Sequence, residues 1–330
     1  MPPADRTAPA VTAADGASSG ALATAIPLRR QPMPTRSMTE NPTGGAAAVR
    51  GPAARRDRRW WRAARTAGRH GVLVAVVLAM LFPTLWALNT SFKPTSDVYD
   101  SSPLPIPATL ANYRAAIDAF PIWQLLLNSF VTAAGVTVLH LLAGVLAGWS
   151  FVRYAHRGQR VVSALVLVAL VVPPQALIIP DFLLVARLGW RDTFVGLIVP
   201  QLSTCSLAVL LLRQHILTVP ATLLGAATLD GATDGEILRH VVLPLLRPAL
   251  GAVAIVVFIT TWNEFLWPAL VAPSPEHTTV QMGLQLFQNQ EGPEYGPLLA
   301  GAMLATIPIA LIYALASRRI TDAFLHSGLR

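Results

Sequence analysis

The sequence predicts an all-α membrane protein with six transmembrane helices and both termini in the cytoplasm. Of its 330 residues, 53% are hydrophobic and only 13% are charged, and six apolar runs approach the length that crosses a bilayer. Soluble domains carry about 25% charged residues, and a spanning helix needs about 20 apolar residues. Because lipid excludes unpaired backbone groups and the runs lack strand alternation, we expect helices.

The six runs lie at residues 71–90, 124–152, from 161 onward, 194–212, 249–271 and 298–317. The third run contains Pro173, Pro174 and Pro180. Proline removes a helical hydrogen bond and clashes with the preceding turn, so a kink or an early end is expected there. The end of the third span therefore stays open at the level of the sequence.

Residues 1–70 precede the first run and are rich in Ala, Pro, Gly, Thr, Ser and Arg. They carry few large apolar side chains and cannot bury enough surface to offset their ordering entropy. We expect a disordered cytoplasmic tail there, followed by a transmembrane domain at 71–330. Two roles of the tail remain open. It is either an extension that is attracted to lipid through its Arg cluster or a segment that makes a regulatory contact.

The basic residues predict the orientation. Of the 25 Lys and Arg residues, 21 fall in the tail, the second and fourth connections and the C-terminal end, and the other four are Lys93, Arg114, Arg187 and Arg191. Positive residues concentrate on the cytoplasmic side of membrane proteins. This rule places both termini and the fourth connection in the cytoplasm. It also accounts for the net charge of +8 without a nucleic-acid partner.

The fourth connection, residues 220–248, has the pattern of two short helices joined at a bend. Pro220 suits a first helical position, and Gly231 suits the left-handed residue just after a helix. The stretch "TDGE" at 233–236 matches a capping box. The connection is therefore predicted to be ordered rather than a loose loop.

The second helix of this connection presents five apolar residues on one face: Ile237, Leu238, Val241, Val242 and Leu245. We expect Pro244 and Pro248 to end it before the fifth span. In the first helix, the face around Gly225, Ala226 and Ala227 has almost no side-chain bulk, which permits another surface to approach closely. Two interpretations are open, a linker packed on its own spans and a docking site for a soluble cytoplasmic protein.

The stretch "PATLLGAATLDGATDGEILRHVVLPLLRPAL" resembles the EAA loop in the permease subunits of bacterial ABC importers. "SFKP" at 91–94, "LANY" at 110–113, "NSF" at 128–130 and "WNEF" at 262–265 are similar to the sugar-importer branch, in particular its maltose-system-G-like subunits. The resemblance covers roughly residue 82 to the end. The residues that match the loop pattern at its spacing are Pro220, Ala226, Ala227, Asp230, Gly231, Ala232, Leu243, Pro244 and Pro248.

The resemblance implies that this loop couples the chain to an ATPase. The family's first loop residue is Glu, which in relatives pairs with a basic residue of the ATPase, and here it is Gly225. Asp230, Asp234, Glu236 or shape alone are the open substitutes, and an exposed ion pair contributes only ~0–1 kcal/mol. The expected coupling residues are Gly225, Ala226, Ala227, Asp230, Gly231, Ala232, Glu236 and Pro244.

The same resemblance implies a permease for a sugar or related solute in the bacterial inner membrane. Its implied partners are a second homologous permease subunit, ABC ATPase subunits, an extracytoplasmic solute-binding protein and membrane lipid. The chain has no phosphate-binding loop of the G-x-x-x-x-G-K-[ST] type, and Lys93 is its only Lys. We therefore expect no enzymatic activity and no cofactor in this chain, since the partner ATPase binds ATP.

Two alternatives remain open: a permease of the same class for a non-sugar solute, and an ion-coupled secondary transporter. The second would call for inverted repeats and several intramembrane charges. Asn128, Asn263 and Glu264 are possible pathway-lining residues, and Glu264 has the competing interpretation of a hydrogen-bonding role towards a neighbouring helix. His140 is more typical of packing than of ligand binding, and Asp181 of an interfacial position. No metal site is predicted.

Overall fold

The computed structural model describes the backbone of residues 53–100, 102–119, 121–154, 158–285, 287–289 and 292–327. The chain divides into two units, Met1–Thr66 and Ala67–Arg330; apart from the start of α1, the features below belong to the second. The elements in chain order are α1 (Ala53–Ser91), α2 (Ala111–Ala119), α3 (Ile122–Arg153), α4 (Gln159–Val171), α5 (Pro174–Arg187), α6 (Phe194–Ile198), α7 (Ser206–Ile216), α8 (Ala221–Leu229), α9 (Asp234–Ile237), α10 (Leu243–Trp262), α11 (Leu266–Val271), α12 (Val280–Gln285), β1 (Gln288–Asn289), β2 (Gly292–Pro293) and α13 (Tyr295–Ser327).

The fold is helical, as the sequence predicted, apart from one short ladder. In that ladder β1 pairs antiparallel with β2, with Gln288 opposite Pro293 and Asn289 opposite Gly292. Four helical segments are long and apolar enough to cross a membrane: Arg65–Ser91, Ile122–Arg153, Asp234–Trp262 and Tyr295–Leu315. By length and composition, the described residues therefore contain at least four candidate spans.

Two further candidate spans are bent helix pairs. The helices α4 and α5 meet at 100°, and the segment Phe194–Thr204 meets α7 at 56°. The first bend falls at Val172 and Pro173, which are both extended, so the kink predicted from the prolines is confirmed. If each pair counts as one span the total is six, and the third and fourth spans are then broken.

The first helix begins earlier than the composition indicated. Residues 53–70, which were expected to belong to a disordered tail, form the start of α1. Ala and Arg have high helix propensity, so the helix extends backwards from the apolar run into this basic segment. The rest of the expected tail, residues 1–52, lies outside the described residues. From residue 65 to residue 86 the side chains of α1 are exposed.

The fifth apolar run, expected as one span at 249–271, is interrupted. The helix α10 ends at Trp262 with Asn263 as its C-cap. The Oε1 atom of Glu264 accepts hydrogen bonds from the N–H groups of Leu266 (3.0 Å) and Trp267 (3.3 Å). These bonds satisfy first-turn donors of α11, so a new helix starts where hydropathy alone predicted a continuous one.

A three-helix core positions the fourth connection. Glycines let α3 and α7 approach closely, because a Cβ at Gly144 would lie 3.1 Å from the carbonyl oxygen of Ala208, and one at Gly148 would lie 3.1 Å from the nitrogen of Arg213. The buried residues of this core come from α3, α7 and α10: Val136, Val145, Ala208, Leu212, Ala249, Val253 and Val257.

Two of the sequence motifs contact each other near the end of α1. Lys93 of "SFKP" is 1% exposed, and its Nζ donates to the carbonyls of Asp100 (2.8 Å) and Ser102 (2.9 Å). Asn112 of "LANY" donates from Nδ2 to the carbonyls of Ser91 (3.0 Å) and Lys93 (2.8 Å). A buried cation requires such partners. The two motifs therefore tie the segment after α1 to α2.

Candidate functional site

The fourth connection folds into a helical elbow, defined here as residues 220–248, in which α8 and α9 meet at Gly231. This glycine has a φ of +81°, as predicted. Its N–H donates to the carbonyl of Thr228 (3.1 Å), and the N–H of Ala232 donates to the carbonyl of Ala227 (3.0 Å). These two bonds make up the Schellman motif, which satisfies the last carbonyls of a helix. The bend is therefore set by backbone hydrogen bonds.

The second helix of the elbow starts with the predicted capping box. The Oγ1 atom of Thr233 accepts the N–H of Glu236 (3.4 Å). In return, Oε2 of Glu236 accepts the N–H of Thr233 (2.8 Å). Two otherwise unpaired donors are satisfied reciprocally, so the start of α9 is defined as tightly as the end of α8.

The prediction that prolines end the second helix is wrong. A π-helical segment, Leu238–Val242, carries α9 directly into α10, with Pro244 near the start of α10 and Pro248 inside it. The wider π-turn accommodates Pro244, whose missing N–H would leave a carbonyl of a regular helix without its donor. The extra residue also shifts the buried face. Leu246 is 2% exposed, whereas Leu245, which was expected on that face, is 51% exposed.

The inner face of the elbow packs on the spans, and its outer face is open. Ala227 and Ala232 lie half-buried on the inner side, so Ala227 does not belong to the free surface expected for it. Gly225 and Ala226 are exposed, and Leu229 is 90% exposed. The inner face rests on a buried cluster of Trp149, Ile216, Ile237, Val242 and Leu246.

A groove runs along the bend between α8 and α9. Its volume is about 380 Å³, and its lining includes both polar and apolar side chains. It is called the elbow groove below, and it is lined by Asp230, Gly231, Ala232, Glu236, Ile237, His240 and Val241. Six of the eight residues predicted to couple to an ATPase therefore lie on the exposed surface around the bend or on the wall of this groove.

The three carboxylates of the elbow have different surroundings. Asp234 accepts from Nε of Arg153 (2.7 Å) and from the hydroxyl of Tyr154 (2.6 Å), both at the end of α3. This hydrogen bond raises the pKa of the Tyr154 phenol, which therefore stays a donor. Glu236 is held in its capping box. The carboxylate of Asp230 is exposed and makes no hydrogen bond or ion pair with any described residue.

A second candidate site lies between the helices that form the candidate spans. It is a cavity of about 310 Å³ bordered by α5, α7, α10, α11 and the turn Pro200–Thr204, and it is called the polar cavity below. Apolar walls from Ile178, Leu207, Val256 and Leu266 face it. Its polar lining includes Gln175, Asp181, Ser203, Thr260, Thr261 and Glu264.

Of the three possible pathway residues, only Glu264 lines this cavity. Asn128 donates from Nδ2 to the carbonyls of Glu276 (2.9 Å) and Thr278 (3.0 Å). Asn263 donates from Nδ2 to the carbonyl of Ile259, at the end of its own helix (2.9 Å). Asn128 therefore holds the segment after α11 against α3, while Glu264 both caps α11 and faces the cavity.

Two residues to which the sequence assigned packing or interfacial positions also line the polar cavity. His140 is held by a hydrogen bond between Nε2 and the carbonyl of Gln201 (2.8 Å). Asp181 accepts a long hydrogen bond of 3.4 Å from Ser203. A carboxylate within an apolar run is expensive and by default indicates function, and this was the available signal for Asp181. Among the described residues, no group of three His, Cys, Asp or Glu side chains is placed to hold a metal ion.

Comparisons with known proteins identify the family. Residues 140–324 match the model of the binding-protein-dependent transport system inner membrane component. The trehalose transport system permease protein SugB of Mycobacterium tuberculosis is 33% identical over 80% of this chain and 98% of its own. The arabinooligosaccharides transport system permease protein AraQ of Bacillus subtilis is 30% identical over 77% and 92%.

The fold is also similar to a solved structure. A chain of a bacterial ABC transporter involved in the import of the acidic polysaccharide alginate superposes with a TM-score of 0.68 at 24% identity, covering 78% of this chain and 97% of that one. The family match includes the elbow and the lining of the polar cavity. The chain belongs to the binding-protein-dependent transport system inner membrane components, which are ABC transporter permeases and not enzymes.

Proposed function

We propose that this chain is one of two related permease subunits that together form the translocation pathway of an ATP-driven sugar importer. A solute-binding protein outside the membrane delivers the solute, and a pair of separate ATPase subunits binds and hydrolyses ATP in the cytoplasm. The names of the relatives, which concern trehalose and arabinooligosaccharides, support a carbohydrate solute. The elbow at 220–248 transmits the movement of the ATPase to the transmembrane domain at 71–330.

The observation that carries this proposal is the structure of the elbow, whose bend is fixed by hydrogen bonds and whose outer face is exposed. Its bend is fixed by the turn at Gly231 and the cap at Thr233, and its inner face is buried against the ends of α3 and α7. A Cβ at Gly225 would meet no atom within 4 Å. A displacement of a docked protein therefore moves the attached helices as rigid bodies instead of deforming a loop.

Asp230 is the carboxylate that takes the place of the family's Glu at position 225. Asp234 is engaged by Arg153, and Glu236 is engaged in its own cap. Asp230 borders the elbow groove, is exposed, and has no polar partner among the described residues. The ATPase surface that docks on the groove is accordingly expected to present a basic residue to Asp230.

The proposal includes six spans in the bacterial inner membrane, with each bent helix pair counted as one span. Both termini and the elbow lie in the cytoplasm, on the side that carries 21 of the 25 basic residues. The exposed apolar side chains of α1, such as Val72, Met80 and Leu85, face lipid or the second permease subunit. Nothing in this arrangement requires nucleic acid or a cofactor bound by this chain.

An experiment on Asp230 tests the docking site. The importer is expressed with the ATPase, second permease and solute-binding protein encoded beside it, and is purified through a tag on this chain. Asp230→Lys is expected to lower the affinity for the ATPase at least about fivefold, because an exposed ion pair contributes up to ~1 kcal/mol and the change also introduces repulsion. The measurement is the binding isotherm of the isolated ATPase on the nanodisc-embedded permease pair.

The matched control is Asp118→Lys, which makes the same charge change at an exposed residue of α2, on the side assigned to the outside. It should leave ATPase binding unchanged. Equal binding by Asp230→Lys and the unmodified chain would contradict the assignment of Asp230. Uptake that depends on an ion gradient, and not on ATP, would favour the secondary-transporter alternative over the whole proposal.

A further inference from the structure

We propose that the polar cavity is a recognition subsite for the hydroxyl groups of a neutral sugar and that it disfavours anionic sugars. This inference rests on the proposed import function and deepens it, because it names the charge class of the solute and the residues of this chain that meet it. The subsite belongs to the permease and is separate from the recognition performed by the solute-binding protein.

The charged side chains that line the polar cavity are acidic. Asp181 and Glu264 contribute two carboxylates, and among the described residues that line the cavity none is Lys or Arg. His140 is the only other ionisable side chain of the lining, and a backbone carbonyl already occupies its Nε2. A phosphate or carboxylate group in this space would meet like charge without a compensating cation. A neutral solute avoids that cost.

The carboxylates that line the polar cavity can accept further hydrogen bonds. Glu264 uses Oε1 to cap α11, and no described group donates to its Oε2. Asp181 has only the long contact from Ser203. Carboxylate oxygens accept strong hydrogen bonds from hydroxyl donors. A polyhydroxylated solute supplies such donors in number, which an apolar solute does not.

Thr261 adds a further hydrogen-bonding group to the cavity wall. This residue is 8% exposed and lines the cavity, yet its hydroxyl makes no hydrogen bond with any described residue. By contrast, its neighbour Thr260 donates back to the carbonyls of Val256 and Val257 (2.9 Å each). The Thr261 oxygen is not fully buried, so its hydroxyl can donate to and accept from a solute that enters the cavity.

The size and the apolar part of the wall also fit a sugar. A volume of about 310 Å³ lies at the small end of ligand sites, which span roughly 300–1,000 Å³. The side chains of Ile178, Leu207, Val256 and Leu266 offer surface to the C–H faces of a sugar ring. Apolar walls with a few convergent polar groups are the usual make-up of small-molecule sites.

The first arm of the test identifies the solute. The solute-binding protein encoded beside this chain is purified, and the solute it carries or selects from a mixture of neutral sugars, sugar phosphates and uronates is identified by mass spectrometry. ATP-driven uptake of that solute is then measured in proteoliposomes containing the whole importer. A neutral solute is expected. Uptake of a sugar phosphate or uronate would overturn the inference while leaving the import function intact.

The second arm of the test changes the two carboxylates that line the polar cavity. Glu264→Gln keeps an oxygen to cap α11, and Asp181→Asn keeps the shape of its side chain. In the double variant we expect the maximal uptake rate to fall at least tenfold, while ATP hydrolysis stimulated by the loaded binding protein stays within twofold. Asp181→Glu, which retains the carboxylate, should restore most of the loss seen with Asp181→Asn.

The matched control is Glu276→Gln, because Glu276 is an exposed carboxylate of the segment after α11 and lies outside the cavity. It should transport at the unmodified rate. Unchanged uptake by the double variant would overturn the subsite, although the importer would still function. Absence of any ATP-driven uptake by the unmodified complex would instead contradict the proposed function.

Discussion

Gly231 shows how one residue determines the geometry of the elbow. Its φ of +81° lies in a region that L side chains rarely adopt, and forcing a Cβ into that region costs roughly 1–2 kcal/mol. The neighbouring space is open, since a Cβ there would meet no atom within 4 Å. The requirement for glycine at this position is therefore conformational and not steric.

We expect Gly231→Ala to weaken the bend and to raise the amount of ATP hydrolysed per solute imported at least twofold. The control is Gly251→Ala in α10, where the space is equally open and the backbone is helical, so that Ala is favoured by about 1 kcal/mol. Coupling ratios are measured in proteoliposomes and thermal stability on the purified complex. Equal coupling in the two variants would show that the turn at Gly231 does not position the elbow for the ATPase.

At the scale of elements, the contact between the elbow and α3 is the most specific connection. Asp234 at the start of α9 receives Arg153 and Tyr154 from the end of α3, although about eighty positions separate them in the chain. The two charged side chains are about one-third exposed (31% and 33%), so their pairing contributes at most ~1 kcal/mol to stability. The main effect of this ion pair is therefore to position the elbow, because it joins the elbow to a helix of the central core.

We predict that Arg153→Gln and Asp234→Asn each raise ATP consumption per imported solute at least twofold. The double variant should add little, because both changes remove the same contact. Arg239→Gln is the control, since Arg239 lies exposed on the same elbow and has no ion pair among the described residues. Additive effects of the two changes would mean that the pair does not act as a unit.

The π-turn has a similar consequence for the elements around it. Because one additional residue is accommodated at Leu238–Val242, the second half of the elbow and the fifth apolar run up to Trp262 form one continuous helix, Asp234–Trp262. A push on the elbow is therefore passed along the axis of α10, and this helix lines the polar cavity at its other end. π-turns are frequent at functional sites, and this one joins the two candidate sites.

For the whole molecule, the proposal requires that the elbow and the segment after α11 lie on opposite sides of the membrane. Cys205 is the only cysteine of the sequence, so Cys205→Ser supplies a background for labelling. With Gly225→Cys, a membrane-impermeant maleimide should react only after permeabilisation, in cells that lack the ATPase. With Glu276→Cys it should react in intact cells.

Both positions are exposed, so poor access within the subunit would not explain a lack of labelling. The permeabilised sample controls for expression and reactivity of each variant. Labelling of Gly225→Cys in intact cells would place the elbow outside, and the whole account of coupling to a cytoplasmic ATPase would then fail. If positions 225 and 276 were both labelled from the same side, the chain could not cross the membrane once between them, as the proposal requires.

Local features of the elbow could be predicted because their causes are local. The left-handed turn at Gly231 and the capping box at 233–236 depend on residues within five positions of each other, and both predictions are confirmed. The same holds for the bend at Pro173. Family membership was also accessible from spaced motifs. These signals survive in any tertiary context, since they come from backbone sterics and nearest-neighbour hydrogen bonds.

Other features were decided only when distant segments met. Arg153 pairs with Asp234 and so decides which carboxylates of the elbow have no partner. The residues on the buried face of the second elbow helix depend on a π-turn, which the hydrophobic pattern of the sequence does not predict. The polar cavity exists because α5, α10 and the turn before α11 bring Asp181, Thr261 and Glu264 to one space. The sequence by itself determined that this chain is a helical membrane permease whose fourth connection is a capped elbow. Tertiary structure decided which of its polar groups are satisfied, because a hydrogen-bond partner is chosen by proximity in space and not along the chain.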